Sequence, residues 1–144
     1  MNVDINGWAV LLAALSSMVV GALWYMPATF GNAWQRLAKV DARKMRASQS
    51  SGQMVWMYGS VFLASLVTAY VVAFVAFLEN KAFSYSFMVD ALDTAFWLWL
   101  GFTAARLYVH DTFEGRRKKL TLLNSAHELV TVLVMALIIG ALKP

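Results

Sequence analysis

Four apolar stretches, each long enough to cross a bilayer, dictate most of what this chain can become. They cover residues 7–25, 54–78, 84–109 and 120–142, and a spanning helix needs about 20 residues. Backbone N–H and C=O groups find no partner in hydrocarbon, so such stretches must be helical. The expected fold is therefore all-α: an integral membrane bundle of four transmembrane helices forming a single domain. Composition excludes the alternatives. With 60% hydrophobic and 14% charged residues, the chain is too apolar for a soluble globule and too rich in core-forming side chains for disorder. Cysteine is absent, which removes disulfides, thiolate metal sites and cysteine nucleophiles. Asp4 and no basic residue precede the first apolar run, so that run reads as a retained helix rather than a secretory signal.

The net charge of +4 would suggest nucleic acid in a soluble protein. Here the basic residues are sorted by position instead. Arg36, Lys39, Arg43, Lys44 and Arg46 lie in the loop 26–53; Arg116, Arg117, Lys118 and Lys119 lie in the loop 110–119, with Arg106 just before it. The opposite side holds Lys81 and Lys143. This asymmetry predicts both basic loops in the cytoplasm and both termini outside. No nucleic-acid partner is expected. The partners expected are the bilayer and its anionic headgroups, with Arg116 to Lys119 as the contact.

Within the first loop, Phe30, Trp34 and Leu37 recur at i, i+4 and i+7 among polar residues. That pattern predicts a short amphipathic helix lying in the interface. Residues 48–53 read as flexible connector and residues 79–83 as a tight turn. Leu23-Trp24-Tyr25 leading to Thr29-Phe30-Gly31 resembles Leu107-Tyr108 leading to Thr112-Phe113-Glu114-Gly115. Two related helical hairpins would account for this, and so would the aromatic composition of any two membrane boundaries.

The stretch Gly21-Ala22-Leu23-Trp24-Tyr25-Met26-Pro27, continuing to Phe30-Gly31 and Trp34, resembles the domain-of-unknown-function family 1761. So does Phe113-Glu114-Gly115-Arg116 with Leu120 to Asn124 and the final apolar helix. The resemblance spans nearly the whole chain and implies a small multi-pass protein of a bacterial-type cytoplasmic membrane. It brings no catalytic residues with it. Physically, Pro27 ends the first span near the interface. Trp24, Tyr25 and Trp34 suit headgroup depth, and Gly31 permits a turn.

Small residues recur every four positions: Ala9, Ala13, Ser17 and Gly21 on the first span, Ser60, Ala64 and Thr68 on the second, Ala136 and Gly140 on the fourth. Close helix packing is the expected use, with a homo-oligomer or larger membrane complex as its extension. Ionisable groups inside spans carry the functional leads, because each costs roughly 2.5–3.5 kcal/mol at the bilayer centre on insertion scales. They are Asp90, Asp93 and Arg106 on the third span and His127 and Glu128, with Asn124, on the fourth. Counting residues from the helix ends puts Asp93 and Glu128 at similar, near-central depth, with Arg106 as a counter-ion for Glu128 and Trp97 as a partner for Asp93. Such a set can handle protons or a small cation. It can equally fix helix register in a structural or regulatory subunit. A lipid-modifying enzyme has no recognisable motif here. His127-Glu128 opens like a zinc-protease pattern, but position 131 is Thr, so neither metal nor cofactor is expected.

Overall fold

Asn6 starts the first helix and ties it to the last. In the computed structural model, which describes residues 4–83 and 85–143, its side-chain oxygen accepts from the amides of Trp8 and Ala9 at 3.1 and 3.2 Å. Its Nδ2 donates to the carbonyls of Leu142 and Lys143 at 2.9 and 3.2 Å. One side chain thus serves free donors at a helix N-terminus and free acceptors at a C-terminus. The helices so joined are α1 (Gly7–Trp24) and α7 (Lys118–Leu142). They run antiparallel, with Gly21 opposite His127 near the other end.

Two short helices follow α1: α2 (Gly31–Ala38) and α3 (Ala42–Ala47). The amphipathic helix expected around Trp34 is α2, and it packs on α7. Lys39 closes it in a left-handed conformation, φ 57°. Helix α3 was not foreseen; the Asp41 carboxylate caps it by accepting from the amides of Arg43 and Lys44.

Helix α4 (Ser51–Phe83) overruns the second expected span at both ends. Residues 51–53, read as connector, are helical because Ser50 and Gln53 form a reciprocal capping box: Ser50 N donates to Gln53 Oε1 at 2.8 Å and Gln53 N to Ser50 Oγ at 3.3 Å. The turn expected at 79–83 is helical too, since no Gly or Pro interrupts it. The third expected span starts at Ser84, which lies outside the described residues. From Phe87 to Phe113 it is one helical run, α5 (Phe87–Leu98), a π-helical segment (Trp99–Ala104) and α6 (Ala105–Phe113). Among the described residues three helices, α1, α4 and α7, are long and apolar enough to cross a membrane; the longest α-helical piece of the third run has 12 residues.

The helices form a ring in which α4 packs on α1 and α5, and α7 packs on α5 and α1. Alanine fills the centre: Ala13, Ala14, Ala69, Ala76, Ala91, Ala95 and Ala136 are fully buried. Small side chains let backbones approach where lipid supplies no hydrophobic drive. Gly140 is the closest approach, since a Cβ there would lie 2.7 Å from Met88 Sδ and 2.9 Å from its Cα. Of the expected small-residue stripes, those on α1 and α7 are buried. On α4, Ser60, Ala64 and Thr68 face outward; the buried face holds Ala69, Val72, Ala73 and Ala76, about 100° around the helix. The two stretches compared as a repeat also differ locally. Thr29 lies beyond its helix and bonds back to it, whereas Thr112 lies inside α6 and bonds to Tyr108.

Candidate functional site

The motif after α1 first solves a backbone problem. A helix end leaves carbonyls without partners, and near lipid they are costly. The Thr29 hydroxyl reaches the carbonyls of Leu23 and Trp24 at 2.5 and 2.8 Å. Phe30 N donates to Trp24 O at 3.1 Å, and Gly31 N to Met26 O at 2.9 Å. Gly31 is needed for this tight reversal: a Cβ would lie 2.7 Å from Met26 O and closer still to Tyr25 O. The reversal returns α2 against α7. It stacks Trp24 on Phe30, centroids 4.4 Å apart, and sets Tyr25 edge-on to Trp34 at 5.4 Å.

The rings meet α7 where Asn124, His127 and Glu128 face them. Tyr25 OH donates to Asn124 Oδ1 at 3.5 Å. The His127 ring lies 5.0 Å from that of Tyr25 and 5.8 Å from that of Trp24. His127 Nδ1 lies 3.2 Å from Glu128 Oε1, so with Nδ1 as donor the lone pair is on Nε2. That Nε2 is buried without a partner, as is the neighbouring Trp24 Nε1. One is an acceptor in this tautomer and the other a donor. Gly21 leaves space beside Nε2, since a Cβ there would sit 3.7 Å away. The imidazole side chain is 13% exposed and the carboxylate 44%, so Glu128 is the more exposed member of the pair.

Two clefts meet at Tyr25 and Glu128. One, of about 630 Å³ between α1, α4 and α7, also holds Ser17, Ser65, His127, Thr131 and Arg46. Ser17 Oγ donates to Ser65 Oγ there at 2.9 Å. The other, of about 520 Å³, holds Trp34, Thr103, Arg106, His110 and Asn124. Arg106 therefore shares a cleft with Glu128, although the two do not form an ion pair.

Asp90 and Asp93 belong elsewhere. Asp90 sits in the first turn of α5, 1% exposed, and accepts from Asn80 Nδ2 at 2.5 Å. The same Nδ2 lies 2.8 Å from the Tyr85 carbonyl. Thr94 Oγ1 donates to Glu79 Oε2 at 2.5 Å, and Asp93 lies beside Glu79. These groups fasten α4 to α5 at the end of the bundle that carries both chain ends. His127 and Glu128 lie toward the end that carries the basic loops, with the alanine layer between. The structure thus keeps Asp93 apart from Glu128, and it pairs Trp97 with Phe96 rather than with Asp93. Counting depth could not show which face each group occupies: Asp93 turns to Glu79 of α4, whereas Glu128 opens to the clefts beside Tyr25.

The sequence reading did not single out Glu79, Asn80, Ser65 or Asp111. Glu79 and Asn80 fell one step past an expected span end. Asp111 was assigned to a basic loop, yet it is buried in α6 and accepts from Thr121 Oγ1 at 2.6 Å. Of the basic run, Arg116 bonds Glu114 at 2.6 Å and lies 3.7 Å from Asp111, while Arg117, Lys118 and Lys119 are exposed. A family model described as Protein of unknown function (DUF1761) matches residues 8–140, a range that includes both segments meeting at His127. No curated protein and no solved structure matches.

Proposed function

The chain belongs to the DUF1761 family, which assigns it no activity, and from the site itself we propose a four-span membrane protein that takes up and hands on a proton at His127 and Glu128. In this reading the helical run Phe87–Phe113 is the third span, both termini face outward from a bacterial-type cytoplasmic membrane, and copies associate as a homo-oligomer or within a complex. The observation that carries the proposal is the buried, unpartnered Nε2 of His127 beside a carboxylate that opens to two clefts. A neutral imidazole donates from one ring nitrogen and accepts at the other, and a carboxylate reachable from two sides can exchange what the imidazole holds.

Proteoliposomes under an imposed pH gradient test this. The expected result is proton flux that Glu128→Gln and His127→Gln each reduce at least ten-fold while Asp93→Asn leaves it intact. Thermal melting in detergent confirms that each variant is folded. Flux that survives both site substitutions, or a folded wild type without flux, sinks the proposal. A second reading, a structural or regulatory subunit of a larger complex, has its own support. Residues 55–61 of α4 are all exposed, with Val55 74% and Trp56 78% exposed. Co-purification of a stoichiometric partner, lost on Trp56→Ala, would favour it.

A further inference from the structure

A third cavity has no part in the proton site. It is a groove of about 640 Å³ between α6 and the first half of α7. It exists because the helices are pinned at two points and held apart between them. At the deeper point, Trp99 Nε1 donates to the Ser125 carbonyl at 2.9 Å. At the basic end, Thr121 donates to the buried Asp111 carboxylate. The π-helical segment ends at Ala104 on one wall, and Ala126 faces the groove from α7, so small residues on both walls leave the space unfilled. π-Helical turns of this kind recur at functional sites.

The walls and the rim of the groove differ in chemistry. Leu122, Ala126 and Leu129 offer hydrocarbon, whereas Arg116 and Lys118 stand at the mouth. Asp111, Arg116 and Lys118 together give the groove a net charge of +1, and because Arg116 is held by Glu114 and Asp111, Lys118 is the cation at the mouth outside those pairs. A soluble anion has no use for the apolar walls, and a neutral chain has no use for the rim. We infer that the groove holds one acyl chain of an anionic phospholipid, with its phosphate at Lys118 and Arg116.

Native mass spectrometry of the detergent-solubilised full chain tests this, with phosphatidylglycerol and phosphatidylcholine of identical acyl chains as probes. The expected result is one retained phosphatidylglycerol, preferred at least ten-fold over phosphatidylcholine. Lys118→Gln lowers that preference about five-fold, the effect of one cation beside an anionic lipid. Ala126→Phe fills the groove without changing charge and abolishes retention of either lipid. If that variant does not fold, Ala104→Leu fills the groove from the facing helix. Equal retention of the two lipids overturns the inference. So does undiminished phosphatidylglycerol binding in a folded groove-filled variant, which would mean that surface charge alone attracts the lipid.

Discussion

Gly31 and Asp90 show how much rests on single side chains in a chain this apolar. At Gly31 a Cβ would overlap the Tyr25 and Met26 carbonyls, both backbone atoms of the reversal. Gly31→Ala therefore shifts the loop that positions Tyr25, and an overpacking cost of about 1–3 kcal/mol should appear as a lower melting midpoint in detergent. At Asp90 the hazard is an orphaned charge. Asn80→Ala removes its hydrogen-bond donor while the carboxylate stays buried, a loss of about 1–3 kcal/mol. Asn80→Asp should be worse still, because it sets two acids in contact. Gly31 was legible in the sequence as a turn residue, since it stands between the proline that ends the first span and the amphipathic pattern that follows. The partnership of Asp90 was not legible. It depends on α4 continuing past residue 78, and hydropathy ends the span just where the chain stays helical.

Helices were legible wherever hydropathy was continuous, and their ends were not, because caps decide ends. Asn6, Ser50 with Gln53, and Asp41 each begin a helix by a side-chain bond that leaves no trace in an apolar average. Asn6→Ala should cost about 0.5–2 kcal/mol as a lost N-cap. The distinguishing sign is at both helix ends: amide hydrogen exchange should quicken at residues 8–9 of α1 and the last turn of α7 should fray with it. The π-helical segment was equally hidden. Trp99–Ala104 is as apolar as its flanks, and only tertiary contacts such as the Trp99–Ser125 bond mark the change of winding.

The bundle as a whole is close-packed at its alanine centre and open at its basic end. Gly140→Leu should drive α5 from α7 through Met88, lowering the melting midpoint more than Leu137→Ala on the exposed face of the same helix. The antiparallel order of neighbours followed from the alternation of basic and non-basic loops. Which ionisable groups meet did not, because that depends on the face each one occupies, and Asp93 faces Glu79 of α4. The lengths of those helices have a consequence beyond the protein. Helix α1 has 18 residues and α4 has 33, about 27 and 50 Å at 1.5 Å per residue. A hydrocarbon layer about 30 Å thick cannot match both. In the proposed four-span reading, α1 nearly matches that layer while α4 overruns it, so α4 must tilt or carry its first turns, with the exposed Val55 and Trp56, beyond the hydrocarbon.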